Sequence, residues 1–87
     1  MDEAVAFGKV LRRLRKEAGL TQEQLGLEAD LRRTYVSILE LGQQQPSLST
    51  LIKLARALDR PASSVVAAVE EELVGLPEPL GKRGKSK

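Results

Sequence analysis

The stretch TQEQLGLEADLRRTYVSILELGQQQP, residues 21–46, decides how the chain folds. Thr21 can accept a hydrogen bond at a helix start, and Gln24, three residues on, can reach back to it. Leu20 and Leu25 bracket the two at the spacing of a hydrophobic staple. A second helix is expected from about Arg33 to Leu41, with Gly42 free to take the left-handed conformation that stops it. Between the two, Ala29-Asp30-Leu31-Arg32 leaves room only for a tight turn. Asp30 best tolerates a positive φ there, being neither β-branched nor bulky. Leu25, Ala29, Leu31, Val36 and Leu39 supply an apolar interior, and Gly26 sits where the helices would approach most closely. Arg32, Arg33, Thr34, Tyr35, Ser37 and Ile38 are left with no evident core to enter.

Two short helices with these inward positions and this outward face have the geometry that seats a helix in a DNA major groove. Arg32 stands where Ser, Thr, Asp or Asn would cap the helix better, a hint that its side chain serves elsewhere. Arg33 can present a planar fork to guanine O6 and N7, and Thr34 can touch a thymine methyl or a phosphate. Tyr35 can bond a phosphate or lie along a sugar; packing on the helix surface is the alternative. Ser37 and Ile38 lie one turn on, where Ile38 meets a thymine methyl or serves as a second-rank core residue. Gln22 opens the first helix of the pair, whose backbone amides attract anions, and its side chain can add a donor to a phosphate oxygen. A capping or merely exposed Gln is the other reading.

From Phe7 to about Val69 the sequence resembles the lambda-repressor/Cro-type (XRE) helix–turn–helix family of bacterial and phage regulators. The resemblance rests on Arg15, Leu20-Thr21-Gln22, Tyr35-Val36-Ser37, Glu40, Gly42, Pro46-Ser47-Leu48 and the pattern Leu54-Ala55-x-Ala57-Leu58, all in register. Two positions depart from the family pattern: Asp30 stands where Gly is usual, and Leu41 where a polar or basic residue usually follows Glu40. The resemblance implies an all-α, five-helix DNA-binding domain with its helix–turn–helix at about residues 22–41. It implies that Glu40 partners Arg15 in a partly buried pair bracing the third helix against the first; two independently solvated charges are the alternative. It also implies phosphate contacts from Gln22 and from the loop after the third helix, through Gln43, Gln44 and Ser47. That loop lacks the basic residues often found there, so weaker contacts are expected.

The first helix, roughly Glu3 to Ala18, places Phe7, Val10, Leu11, Leu14 and Ala18 at helical spacing, and Gly19 ends it. A fourth helix, about Leu48 to Leu58, is expected to turn Leu48, Leu51, Ile52, Ala55 and Leu58 inward as scaffold. The fifth begins near Pro61, which suits a first turn, and runs to about Val74. Its residues Val65, Val66, Ala67, Ala68, Val69, Leu73 and Val74 give more apolar surface than one buried stripe requires. The surplus suggests a homodimer seam through Val65, Val66, Val69 and Leu73, with Leu76 or Leu80 joining; a wide core stripe in a monomer is the alternative. The domain is thus expected over residues 1–75. Residues 76–87 read as a flexible basic tail carrying Lys82, Arg83, Lys85 and Lys87.

Eighty-seven residues make one small domain, near the lower limit at which a core holds unaided. There is no cysteine or histidine, which removes disulfides, thiolate metal sites and the commonest general base. The remaining carboxylates, hydroxyls and lysines form no nucleophile–base arrangement by spacing, so an enzyme is not expected, nor a metal or cofactor. No signal peptide or membrane-length apolar run is visible, and a cytoplasmic protein is the default. The net charge of +2 says little alone, but Lys9, Arg12, Arg13, Arg15 and Lys16 load the first helix and Arg32 and Arg33 the third.

These features point to a homodimeric, sequence-specific transcriptional regulator, its third helix in the major groove of a near-palindromic operator. The half-sites would lie about 34 Å apart. The string Arg33-Thr34-Tyr35-Val36-Ser37 also resembles the controller proteins of restriction–modification systems, and an antitoxin with its own operator is another subtype. A different class is a helical module that binds a protein partner instead of DNA, favoured by the apolar Ile38 and Leu41 near the recognition face.

Overall fold

The computed structural model describes residues 2–75, and within them the chain is all helix and turn. Five helices follow in order: α1 Glu3–Glu17, α2 Gln22–Ala29, α3 Arg33–Glu40, α4 Leu48–Ala57 and α5 Ala62–Val74. The basic tail and the Leu76 and Leu80 contributions to a seam lie outside the described residues.

Each helix starts or stops where its local chemistry says it should. Asp2 accepts the Val5 N–H to open α1, and Gly19, at φ +75°, turns the chain away after it. The capping box of α2 is complete: Thr21 Oγ1 accepts from the Gln24 N–H at 3.0 Å, and Gln24 Oε1 accepts from the Thr21 N–H at 2.8 Å. Asp30 closes α2 at φ 59° and ψ 47°, so a non-glycine residue holds the left-handed turn. Its small side chain makes that conformation tolerable where a bulky or β-branched one would not. Arg32 is the N-cap of α3 and makes no capping bond with its side chain. Ser47 caps α4, its Oγ accepting from the Thr50 N–H.

Phe7, Val10, Leu11 and Leu14 of α1 meet Leu25, Ala29, Val36, Leu39, Leu54, Ala55, Leu58 and Val65 in one core. In this packing α1 lies against α3 and α5, α2 against α3 and α4, and α4 against α5. Leu20 and Leu31, flanking α2, are half-buried against the same cluster.

Several expected positions move. Leu48 is 73 % exposed, because as the first residue of α4 it sits at the end of the helix, beyond the core. Leu54, not named in the expected stripe, is buried in its place, with Leu51 and Ile52 half-covered. Ala18 is exposed, because α1 has already ended there and Ala18 caps it. Pro61 is the N-cap of α5, one residue before the first turn, and lends its fixed φ of −68° to the entry. Val65 is only 2 % exposed and faces the chain's own core, so it has no surface to offer a partner. Of the expected seam, Val66 is exposed and Val69 and Leu73 are half-covered, with exposed Val74 beside them.

Candidate nucleic-acid interface

The chain enters α3 through the αL turn at Asp30 and an extended Arg32. Side chains of a helix lean toward its N-terminus, so those in the first turn of α3 lean back toward the turn that joins it to α2. Arg32, Arg33 and Thr34 are exposed there, whereas Tyr35, Ser37 and Ile38 are half-buried. Tyr35 packs against the core cluster, which fits its helix-surface alternative and leaves only part of the ring for a ligand. Val36 and Leu39 are fully buried and anchor the helix from behind.

Arg33 lines an open concavity together with Arg15, Thr21, Gln22 and Glu23. The first turn of α3 and the first turn of α2 therefore face one hollow. Thr21 occupies the Gln24 N–H, but the N–H groups at the very start of α2 have no helical acceptor ahead of them. The Arg33 guanidinium and a helix N-terminus at one hollow favour an anion, against the opposing charge of Glu23, which also lines it. The loop after α3 carries Gln43 and Gln44 exposed, while the Ser47 hydroxyl is occupied by Thr50 as a cap.

Behind this face lies the pair expected from the family pattern, and the structure brings its members together. Glu40 Oε2 accepts from Arg15 Nε at 2.6 Å and Oε1 from Arg15 Nη2 at 3.0 Å, a two-pronged contact between α1 and the end of α3. The side chains are 11 % and 3 % exposed. Arg15 Nη1 donates a third bond to the Leu20 carbonyl at 2.9 Å, tying the same guanidinium to the entry of α2. The bond to Glu40 raises the Arg15 pKa above the usual arginine value, with burial opposing it and the Glu40 charge assisting.

Two features of this site escape a reading of the sequence. Gln22, expected at a phosphate, donates its Nε2 to Glu40 Oε1 at 3.0 Å, and nothing in residue spacing links positions so far apart. Gly8 lies in the middle of α1, and a Cβ there would stand 2.5 Å from the Leu39 carbonyl oxygen and 2.6 Å from that of Glu40. A glycine inside a helical pattern was the available signal for such a close approach. Gly26 plays the related part within the motif: its Cβ would meet the Leu31 carbonyl oxygen, in the turn, at 2.6 Å.

Residues 11–65 match a family model described as Helix-turn-helix. The chain belongs to that family. It is 36 % identical over 75 residues to the uncharacterized regulator y4dJ of Sinorhizobium fredii, a match covering 86 % of this chain and 97 % of y4dJ. It is 38 % identical over 72 residues to the control protein C.MunI of a Mycoplasma species, covering 82 % of this chain and 97 % of that one. The crystal structure of the restriction–modification controller protein C.AhdI of Aeromonas hydrophila superimposes with a TM-score of 0.69 at 44 % identity. That match covers 71 % of this chain and 94 % of C.AhdI. This chain is a DNA-binding regulator of the lambda-repressor/Cro type and strongly resembles the restriction–modification controllers. No helix among the described residues is long and apolar enough to cross a membrane.

Proposed function

We propose that the chain works as a homodimeric transcriptional regulator of the restriction–modification controller kind, binding a near-palindromic operator with α3 in the major groove. The observation that carries this reading is the exposed first turn of α3, Arg32-Arg33-Thr34, from which Arg33 lines one hollow with the open start of α2. A phosphate at the α2 start, helped by Gln22, sets the register; Arg33 then reads a guanine edge and Thr34 a neighbouring thymine methyl or phosphate. Arg32 and Ser37 flank this contact, and Tyr35 and Ile38 contribute the half-exposed apolar edge of the same face. Gln43 and Gln44 meet the backbone from the other end of α3, whereas Ser47 contributes there through its backbone, its hydroxyl being spent on the α4 cap.

The test is selection of duplexes from a random library, followed by gel shifts of the selected and a random-sequence duplex across a salt series. Arg33→Ala is expected to lose about 1–3 kcal/mol on the selected duplex and to flatten preference at one position of each half-site. Equal losses on both duplexes would mean that Arg33 meets only phosphates. Failure to shift any duplex leaves the protein-interaction reading, for which exposed Leu41 beside α3 is the feature to probe.

The dimer rests on α5. Exposed Val66 and Val74 with half-covered Val69 and Leu73 form an apolar strip that the protomer covers only in part, Val69 packing partly against the core. Val66→Glu is expected to convert dimer to monomer in sedimentation at micromolar concentration without loss of helical circular dichroism. Operator affinity should fall with it, because two linked half-sites act through an effective local concentration. A wild-type protein that sediments as a monomer refutes the seam.

A further inference from the structure

Three helices converge on one carboxylate. Glu40, at the end of α3, accepts two hydrogen bonds from Arg15 of α1 and one from Gln22 of α2. Arg15 holds the Leu20 carbonyl with its remaining arm, so the residue ahead of the α2 cap is tied to the same cluster. No buried side-chain polar atom among the described residues lacks a partner, so the cluster is internally satisfied.

We propose that Glu40 is a positioning residue for the DNA-backbone contact, acting through Gln22. A carboxylate only accepts hydrogen bonds, so it can bind Gln22 in one sense alone, with the amide nitrogen turned inward. That fixes which way the amide faces and consumes one of its two N–H groups. The second N–H remains for a phosphate at the α2 start, where Gln22 lines the open hollow. An amide already held in this way has less rotamer freedom to lose when DNA arrives. Glu40 itself cannot make the contact, since its side chain is only 3 % exposed and its charge has the sign of a phosphate. Whatever it adds to binding beyond the integrity of the fold therefore passes through the amide it orients. This inference rests on the reading of Gln22 as a phosphate contact.

A double-mutant cycle on DNA binding tests it. One arm is Gln22→Met, which keeps the length of the side chain and removes both donors. The other is Arg15→Met/Glu40→Leu, which removes the acceptor and leaves no stranded charge. Both, and their combination, are measured on the selected and the random-sequence duplex below their melting temperatures. Gln22→Met is expected to weaken binding about tenfold on both duplexes, the loss of one hydrogen bond to a charged group. Its salt slope is expected to match that of the wild type, because no cation is removed. Arg15→Met/Glu40→Leu is expected to weaken binding as well, and the combination to bind no worse than the weaker of the two, since contacting residues are not additive. Losses that multiply overturn the proposal, because Glu40 then acts on the fold alone while the phosphate contact stands. Wild-type affinity in Gln22→Met removes the phosphate contact and the proposal together. If Arg15→Met/Glu40→Leu is unfolded at the assay temperature, Arg15→Met/Glu40→Met, whose flexible side chains fill irregular space more readily, takes its place in the same cycle.

Discussion

Glu40→Ala is expected to cost about 3–5 kcal/mol of stability, the usual penalty for removing one member of a buried ion pair. The loss comes less from the attraction forgone than from what is left behind. Arg15 keeps a guanidinium that is 11 % exposed, with only the Leu20 carbonyl still bonded to it. For a domain of this size the melting temperature should fall by about 15 °C or more. Arg15→Met/Glu40→Leu should recover much of the loss, since a well-packed apolar pair replaces a buried ionic one at little or no cost. Thermal melts of the three proteins check this, and an unchanged melting temperature in Glu40→Ala would show that the pair braces nothing. The pH dependence has a definite sign. Because the Glu40 hydrogen bond raises the Arg15 pKa, the stabilisation is fully present below arginine's ordinary value and is lost only as pH climbs through the raised one. Changing pH around neutrality therefore does not discharge Arg15, and the substitution is the cleaner probe.

The second large effect is expected at Gly8. A side chain there meets the carbonyl oxygens of Leu39 and Glu40 at distances no Cβ can keep, and both obstacles are backbone. The only relief is for α1 to move away from the end of α3, which also stretches the Arg15–Glu40 contact. Gly8→Val is expected to destabilise by about 3 kcal/mol, at the upper end of the range for overpacking, because no side chain can swing aside. Gly8→Ala should lose somewhat less, as the better helix propensity of Ala returns about 1 kcal/mol. Denaturant melts of both variants measure the difference, and a Gly8→Val protein as stable as the wild type would mean that α1 and α3 are not held at this spacing. Since α3 carries Arg33 and Thr34, any surviving fold should also bind the selected duplex more weakly.

Local chemistry alone determined much of this molecule. The capping pair Thr21 and Gln24, the αL residue Asp30 and the stop at Gly42 are decided within four or five residues, so the helix–turn–helix and its polar outward face were readable in the string itself. The exposure of Arg32, Arg33 and Thr34 follows from the same periodicity. The Arg15–Glu40 pair was legible only through the family pattern, because no local rule joins α1 to the end of α3. What the tertiary structure decided is everything that depends on where helices end against one another. Leu48 leaves the core because α4 begins at its edge, and Val65 turns inward because α5 lies on both α1 and α4. Gly8 is required by two carbonyls that are distant in sequence and adjacent only after packing. Gln22 gives its amide to Glu40 for the same reason: a hydrogen bond between residues on different helices depends on distance in space, which residue spacing along the chain does not encode.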